Sequence, residues 1–293
     1  MSAVGTVSAV WTGADVAGAA AGGAGSRSVG RPLLELRRVE ASYGPYRALF
    51  GVSFTVPEGS VVALVGSNGA GKSTVARVVS GLVRAKAGSV WLAGSEITRW
   101  PAWRMARAGI AHAPEGRSVL ASLTVEENLE LAARALLGRR RSKDALDRAF
   151  GAFGRLAERR HQLAGTLSGG EQRMLSLAKV LAVPARLLVV DELSLGLAPA
   201  VVDEVFGALE AVRDAGTSLL VVEQHVDRAL AMADRAVVLV RGRVAAEGSV
   251  AEVLPMVARL LPKRAPVAGS ASSSAPHGSP QQPGGRPGRP DAK

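Results

Sequence analysis

The chain has 293 residues with a formal net charge of +11, and 47% of them are hydrophobic but only 4% aromatic. This length allows one large α/β domain or two small ones, with a core of Val, Leu and Ala. The absence of cysteine excludes disulfides, thiolate metal sites and cysteine nucleophiles.

The two ends of the chain differ in composition from its middle. Residues 1–31 are rich in Ala, Gly and Ser, and residues 265–293 are rich in Pro, Ser and Gly. Neither segment can bury enough apolar surface to become ordered. We therefore predict two disordered tails around one continuous domain over residues 32–264.

Within that domain, short strand patterns alternate with helical ones. Strands are predicted at Leu34–Val39, Val52–Val56, Val61–Val65, Val90–Ala93, Ile110–Ala113, Leu187–Val190, Leu219–Val222 and Ala236–Val240. Helices are predicted at Lys72–Leu82, Val125–Leu137, Glu171–Ala182, Ala200–Ala215 and Val226–Ala233. The alternation favours a mostly parallel core sheet, and the early strands, with few helices between them, favour an antiparallel edge. A charged helical insertion is predicted within a helical subdomain of about residues 115–183.

The charge and the hydropathy limit where the protein acts. A basic chain suits nucleic acid, nucleotide phosphates or an anionic membrane face. We interpret the basic residues as scattered, expect no cluster of aromatic and basic side chains, and expect no nucleic-acid partner. No run of about 18 apolar residues predicts a transmembrane helix, and the first 25 residues lack the early positive charge of a signal peptide. If the protein serves a membrane, we expect it to lie on its surface.

The first motif joins the third predicted strand to a helix. Residues 66–73 fit the phosphate-loop pattern G-x-x-x-x-G-K-[ST] in its strand–loop–helix context. Backbone N–H groups of such a loop, together with the N-terminus of the following helix, hold phosphate oxygens. We predict that Lys72 reaches the β- and γ-phosphates, that the Ser73 hydroxyl binds Mg²⁺, and that Thr74 lies near the α-phosphate. The predicted nucleotide-binding residues are Gly66, Ser67, Asn68, Gly69, Ala70, Gly71, Lys72, Ser73 and Thr74.

A later apolar strand ends in two adjacent acids, Asp191 and Glu192. We predict that Asp191 holds Mg²⁺ through water and that Glu192 orients the hydrolytic water as general base. Two adjacent acids favour hydrolysis by water over phosphoryl transfer to a substrate hydroxyl. The alternative is a solvated acid pair that simply follows a buried strand.

A third motif, Leu-Ser-Gly-Gly-Glu-Gln-Arg at residues 167–173, lies between the first two. In that position it resembles the signature motif of ATP-binding cassette (ABC) ATPases. The resemblance implies an α/β P-loop fold of the ABC cassette type, with a mainly parallel core sheet, an antiparallel β edge and a helical subdomain. It also implies that Ser168, Gly169, Gly170 and Glu171 face the γ-phosphate held by a second cassette, so that ATP joins two cassettes head to tail.

Other positions follow the same family order. The resemblance implies that Tyr43 stacks on adenine and that His225 contacts the γ-phosphate. Ala198 stands where the family usually has Asp, and Leu193 stands where Pro usually follows the Asp-Glu pair. Glu115 occupies the place of a Gln that touches Mg²⁺ and couples to the membrane subunit, and there it adds negative charge near the nucleotide.

The segments "PEGR", "LTVEENL", "LSGGEQRML", "SLGLAP" and "VEQH" together resemble the LivF-type subunits of branched-chain amino acid importers. This implies an ATPase peripheral to the cytoplasmic face of the plasma membrane, with ATP and Mg²⁺ as cofactors. It implies a second ABC ATPase subunit, identical or different, two membrane permease subunits and, indirectly, an extracytoplasmic solute-binding protein. Close relatives also carry urea, short amides or other small polar solutes. A soluble ABC ATPase that acts on nucleic acid or ribosomes is the alternative.

Overall fold

The computed structural model describes residues 31–116, 118–194, 197–223 and 225–260. The predicted tails lie outside these ranges, apart from Arg31. The predicted boundaries of the tails and of the helical subdomain therefore stay predictions.

The described residues contain ten strands and nine α-helices. The strands are β1 (Pro32–Tyr43), β2 (Tyr46–Pro57), β3 (Val61–Gly66), β4 (Ala87–Leu92), β5 (Ser95–Glu96), β6 (Ile110–Ala113), β7 (Leu187–Asp191), β8 (Ser218–Val222), β9 (Arg235–Val240) and β10 (Arg243–Ser249). The helices are α1 (Lys72–Val79), α2 (Ala102–Arg107), α3 (Val125–Leu137), α4 (Ser142–Ala152), α5 (Gly154–Glu158), α6 (Gly169–Leu181), α7 (Pro199–Asp214), α8 (Val226–Met232) and α9 (Val250–Leu260).

Every strand and helix predicted from the sequence is present. The ends differ little for most of them, but β1 and β2 have 12 residues each and are about twice as long as predicted. The helix after the phosphate loop is shorter than predicted, because Gly81 has a φ of 72° and ends it. The N–H of Gly81 donates to Val78 O, and the N–H of Leu82 donates to Arg77 O, which is the Schellman arrangement of a helix C-terminus. The structure adds α2, α4, α5, α9, β5 and β10 to the elements that were predicted one by one. Of these, α4 and α5 lie within the helical insertion predicted over about residues 125–163.

The strands form two sheets. The six-stranded sheet has the order β10-β9-β3-β8-β7-β6, in which β9, β3, β8, β7 and β6 are parallel and β10 is an antiparallel edge. The early strands form a second, antiparallel sheet with the order β2-β1-β4-β5. The predicted fold class is therefore confirmed, and the early strands are a sheet of their own rather than only an edge of the first.

Two hydrophobic cores cover the two faces of the parallel sheet. Along β3, Val61, Ala63 and Val65 belong to the core shared with α3, α6 and α7. Val62 and Leu64 belong to the core shared with β1, β2 and α1. Burial on both faces explains why the parallel strands are continuous apolar runs.

The carboxyl ends of the parallel strands meet at one edge of the sheet. Because β8 lies between β3 and β7, with β6 outside β7, four predicted segments converge there. These are the phosphate loop after β3, His225 after β8, the acid pair at the end of β7 and Glu115 after β6. This edge is where open α/β sheets bind ligands. In the described ranges, no helix is long and apolar enough to cross a bilayer.

Candidate nucleotide-binding and hydrolysis site

The phosphate loop has the backbone geometry of an anion cradle. Gly69 and Gly71 have φ angles of 74° and 102°, which residues with a Cβ rarely adopt. A Cβ on Gly71 would also lie 2.9 Å from a methyl carbon of Leu49. The next residue, Lys72, begins α1, and no side chain caps that helix. The first N–H groups of α1 therefore point toward the loop without a protein acceptor from a capping side chain.

Lys72 lies folded across this loop. Its Nζ donates to the carbonyl oxygens of Gly66 at 3.1 Å and Ser67 at 3.3 Å. The same Nζ lies 3.5 Å from Oε1 of Glu192, and both side chains are buried. The loop thus holds a positive charge between its own carbonyls and the second acid of the β7 pair.

Ser73, the residue after Lys72, contacts the first acid of the β7 pair, Asp191. The Ser73 hydroxyl donates to Oδ1 of Asp191 at 3.0 Å, and a hydroxyl beside a carboxylate offers the hard oxygen ligands that Mg²⁺ prefers. No group of three or more His, Asp or Glu side chains in the described part of the chain could hold a metal by itself. This donor set fits an ion whose coordination is completed by phosphates and water.

The carboxyl of Asp191 is hard to ionise in the absence of a cation. Burial, with a smaller effect from the charges of Glu192 and Glu115, raises its pKa to about 6, although the Ser73 hydrogen bond and the charge of Arg77 act in the opposite direction. Negative charge therefore accumulates at this point of the sheet, and a bound cation would relieve it.

This pKa predicts a stabilising substitution at Asp191. Its pKa in the folded chain, about 6, exceeds its ordinary value of 3.8, so the free energy of unfolding falls as the pH rises from about 3.8 to about 6 and stays at the lower value above that range. Asp191→Asn is expected to raise the Tm of the nucleotide-free protein at pH 8 and to raise it much less at pH 4. Thermal denaturation at both pH values measures this. The exposed Asp214→Asn is the control, and an equal shift at both pH values would contradict the assignment.

Glu192 has an unusual backbone conformation. Its φ is 49°, in the left-handed region, which costs a non-glycine residue on the order of 1–3 kcal/mol. Its N–H donates to Val222 O at 2.8 Å, so a neighbouring strand fixes the conformation. The side chain is buried and directed to Lys72. Strain of this kind concentrates where a side chain must be aimed.

The remaining predicted nucleotide contacts lie around this centre. Tyr43 is 41% exposed, and its hydroxyl accepts a hydrogen bond from Nη1 of Arg77 on α1 at 3.4 Å. His225 is exposed and immediately precedes α8. Glu115 is exposed, and its charge reaches Asp191 and Arg77. The structure thus brings Glu115 near the carboxylates of Asp191 and Glu192, while binding of a metal by Glu115 stays a prediction.

The third motif forms the start of α6. Ser168 is the N-cap, and its Oγ accepts from the N–H of Glu171 at 3.3 Å. The N–H of Ser168 donates to Oε2 of Glu171 at 2.8 Å, which completes a capping box. These hydrogen bonds lower the pKa of Glu171, and Nε of Arg159 lies 3.0 Å from its Oε1. Glu171 therefore has a structural role here, and its contact with a nucleotide stays a prediction.

Gly170 stands in the first turn of this helix without an internal reason to be glycine. A Cβ built on it would meet Val201 at 3.5 Å, an ordinary van der Waals distance. The chain itself therefore has room for an alanine at this position.

Besides Glu115, two departures from the resembled pattern lie near the acid pair. Leu193, in the place of Pro, is buried in the core shared with the helices. Ala198, in the place of Asp, is the N-cap of α7 and gives no side-chain cap, while Pro199 occupies the first helical position, which suits proline.

Sequence reasoning missed several residues of this region. A buried pair joins the loop after Glu192 to the end of β8, since Ser194 Oγ donates to Oε2 of Glu223 at 2.7 Å and Ser194 N to Oε1 at 3.1 Å. The sequence did carry a signal for Glu223, since it is an acid directly after an apolar strand and two residues before His225.

His112 on β6 was also missed. Burial, helped by the charge of Arg77, lowers its pKa to about 4.

Comparisons with known proteins agree with this geometry. A family model described as ABC transporter matches residues 49–194. The high-affinity branched-chain amino acid transport ATP-binding protein BraG of Pseudomonas aeruginosa is 42% identical over 216 residues, which cover 72% of this chain and 91% of that protein. The probable branched-chain amino acid transport ATP-binding protein LivF of Archaeoglobus fulgidus is 40% identical over 223 residues, with coverages of 76% and 94%.

Solved structures show the same fold. The ADP conformation of MJ1267, an ATP-binding cassette of an ABC transporter, superposes with a TM-score of 0.67 at 26% identity and covers 78% of this chain and 98% of that one. An ATP-binding subunit of an ABC transporter superposes with a TM-score of 0.69 at 29% identity, with coverages of 78% and 94%.

Proposed function

This chain belongs to the ABC transporter ATP-binding family, and on that premise we propose that it is the ATP-hydrolysing subunit of an importer for branched-chain amino acids. The observation that carries the proposal is the meeting of Lys72, Ser73, Asp191 and Glu192 at one edge of the parallel sheet. The chemistry of the importer then follows from what these side chains do when ATP arrives.

ATP binding is proposed to separate Lys72 from Glu192. The loop N–H groups and the first turn of α1 bind the phosphates, and the Lys72 ammonium moves from the loop carbonyls to the β- and γ-phosphates. Glu192 then loses its ion pair and becomes available as a base. Its fixed backbone keeps the carboxylate aimed at the γ-phosphate side, where it accepts a proton from the attacking water.

Ser73 and Asp191 are the proposed Mg²⁺ residues, with Glu115 as a third candidate. Bound Mg²⁺ supplies positive charge that neutralises the phosphate oxygens. The protein's own contribution is to keep Asp191 buried at the end of β7, where it would hold Mg²⁺ through water, and to hold the Ser73 hydroxyl against it. Tyr43 would cover the adenine, and His225 would contact the γ-phosphate from beyond β8.

The N-terminus of α6 is proposed to complete the site of a second cassette. Ser168 caps the helix through Glu171, while Gly169 and Gly170 begin it without side chains. A phosphate of the partner's ATP fits against this end because the helix dipole and backbone N–H groups favour an anion. The partner is a second ABC ATPase, identical or different, and closure of the two around ATP is the movement passed to the permease.

The remaining partners and the location follow from the same proposal. Two membrane permease subunits bind the face near Glu115 and the helical insertion, and a solute-binding protein delivers the solute on the other side of the membrane. The subunit is then peripheral to the cytoplasmic face of the plasma membrane. Both named relatives are transport ATP-binding proteins, so a role on nucleic acid or ribosomes is not favoured.

Glu115 provides a prediction on the coupling position. Glu115→Gln keeps an oxygen ligand and removes one of the charges that raise the pKa of Asp191, so ATPase activity is expected to stay within about threefold of the parent. Phosphate release at saturating Mg²⁺ and ATP measures it. Glu115→Ala, which lacks the oxygen, is the comparison. An inactive Gln variant would show that the acid has a role of its own.

The solute is tested by uptake in a strain that lacks this gene. Complementation with the parent chain is expected to restore uptake of radiolabelled leucine, isoleucine and valine, whereas Lys72→Ala is not. Uptake of urea, carried by related systems, is the comparison solute. If urea uptake is lost and regained while leucine uptake never changes, the branched-chain amino acid assignment is wrong but the ATPase assignment is untouched.

A further inference from the structure

One buried acid beside the nucleotide site has no part in the proposed hydrolysis. Glu223 directly follows β8 and is 1% exposed, and a carboxyl group withdrawn from water to this degree needs hydrogen-bond partners. Both of its oxygens accept hydrogen bonds from Ser194, which is itself buried. Ser194 N donates to Oε1 at 3.1 Å, and Ser194 Oγ donates to Oε2 at 2.7 Å. Two bonds to one residue fix both the position and the orientation of its backbone.

The segment after β7 is held at three successive residues by distant parts of the chain. The N–H of Glu192 donates to Val222 O at 2.8 Å. At the next residue, the carbonyl oxygen accepts from Nη1 of Arg173 on α6 at 3.1 Å. The carboxyl of Glu223 then holds Ser194. The last residue of β8 and the residue after it therefore set the path of the chain around the second acid of the β7 pair.

The pair of Glu223 and Ser194 provides what the left-handed backbone of Glu192 requires. A residue with a Cβ keeps a φ of 49° only where the surrounding contacts over-determine it. The backbone hydrogen bond to Val222 is a neutral one, whereas hydrogen bonds to a carboxylate are roughly twice as strong. Without the two bonds at Ser194, the segment would relax toward an ordinary conformation, and the Glu192 side chain would point in another direction.

We propose that Glu223 is a positioning residue for ATP hydrolysis, which acts through Ser194 to keep the carboxylate of Glu192 aimed at the attacking water. This inference rests on the proposed base role of Glu192. A base must lie within hydrogen-bond reach of the proton that it removes, and a displacement of about 1 Å can cost about a hundredfold in rate. ATP binding depends on the phosphate loop and α1 instead, so it should not require the pair.

Two other roles fit Glu223 less well. A proton acceptor would need a carboxylate that faces the phosphates, but both oxygens of Glu223 are directed at Ser194. It is Glu192 that reaches Lys72 in the phosphate loop. A contact that served only the fold would alter stability without altering turnover, and a buried serine at the other end of β8 provides that comparison.

Steady-state ATPase kinetics of the purified full-length chain test the proposal. Glu223→Met removes both acceptors, keeps much of the side-chain volume and is expected to lower kcat by about tenfold or more. Ser194→Ala removes only the hydroxyl bond, since the backbone bond remains, and is expected to lower kcat by about three- to tenfold. The Kd for a fluorescent ATP analogue is expected to stay within about twofold of the parent value in both variants.

Further variants separate hydrogen bonding from acid chemistry. Glu223→Gln keeps an acceptor for Ser194 N, and the serine hydroxyl can rotate to accept from the new amide N–H. This variant is therefore expected to recover kcat to within about threefold of the parent. The double variant Ser194→Ala/Glu223→Met should be no slower than Glu223→Met, because residues that act as one unit are non-additive. Glu223→Met should also add nothing to Glu192→Gln, which already lacks the base.

Ser218→Ala, at the opposite end of β8, is the matched control. Ser218 is 1% exposed, and its Oγ accepts from Gly59 N at 2.8 Å, so this variant also leaves a buried hydrogen bond unmade. The strand has five residues at roughly 3.3 Å each, which separates this serine from the segment after β7. The Tm of Ser218→Ala is expected to fall about as far as that of Ser194→Ala, while its kcat should equal the parent value.

Several outcomes would overturn the inference. These are the parent kcat in both Glu223→Met and Ser194→Ala, an equal loss of kcat in Ser218→Ala, or losses that add in the double variant. Inactive Glu223→Gln would show that the acid itself is needed, which also contradicts a positioning role. If Glu223→Met does not fold, Ser194→Ala decides alone. If the pair variants hydrolyse ATP normally while Glu192→Gln does not, only this inference falls, whereas full activity in Glu192→Gln would remove the proposed base as well.

Discussion

Glu192→Gln is expected to reduce ATP turnover by about a hundredfold or more, the usual contribution of a positioned general base. Glutamine has the same shape and leaves the backbone bond to Val222 in place, but it cannot accept the proton of the attacking water. Because binding is retained and hydrolysis is not, ATP-bound dimers should accumulate. Phosphate release measures the first effect, and size-exclusion chromatography with and without ATP measures the second.

The matched control for this substitution is Glu210→Gln, an exposed glutamate on α7 that undergoes the same chemical change and should behave as the parent. Glu192→Asp keeps the acid but shortens it, and intermediate activity is expected. Full ATPase activity in Glu192→Gln would remove Glu192 from the base role, and the reaction would then need another proton acceptor near the loop.

Lys72→Ala is expected to weaken ATP binding by about a hundredfold or more, since it removes a charged donor from a buried phosphate site. The structure adds a second effect, because Glu192 loses the ion pair that it makes with Lys72 in the nucleotide-free chain. The free energy of unfolding should therefore fall as well. Titration with a fluorescent ATP analogue measures affinity, and thermal denaturation measures the loss of stability.

Two further variants separate the effects of Lys72→Ala. Lys72→Arg keeps the positive charge beside Glu192, so it should recover much of the stability while its larger head still impairs ATP binding. Lys143→Ala, at an exposed position on α4, should change neither quantity. Unaltered nucleotide affinity in a folded Lys72→Ala protein would contradict the role assigned to the loop.

The meeting of the phosphate loop with the acid pair was predictable because its signals are local, whereas the roles of these residues stay predictions. Lys72 and Ser73 follow the glycines of the phosphate-loop pattern, and Asp191 ends a strand that is buried on both faces. Parallel strands then bring such segments to one edge whatever lies between them in sequence. The fold class and the order of strands and helices follow from the same local periodicity.

What escaped prediction depends on contacts between distant parts of the chain. The pairing of Ser194 with Glu223 and the separate sheet of early strands are set by tertiary packing. The expectation of no cluster of aromatic and basic side chains is wrong at α2, where Arg104 lies over the Trp100 ring and Arg107 over the Trp103 ring. Met105 turns one side of α2 inward, so these arginines lie outside. Ala and Gly within β10 weakened its strand pattern.

The left-handed backbone at Glu192 joins two opposing effects on stability at one residue. A glycine there would remove the conformational strain, a gain on the order of 1–2 kcal/mol, but it would also leave the buried Lys72 ammonium without its carboxylate partner, a loss of about 3–5 kcal/mol. A substitution that relieves the backbone is therefore expected to lower the Tm of the nucleotide-free protein. A selection for heat resistance alone should accordingly retain the acid at position 192, so that the ion pair of the resting state preserves the residue that turnover needs.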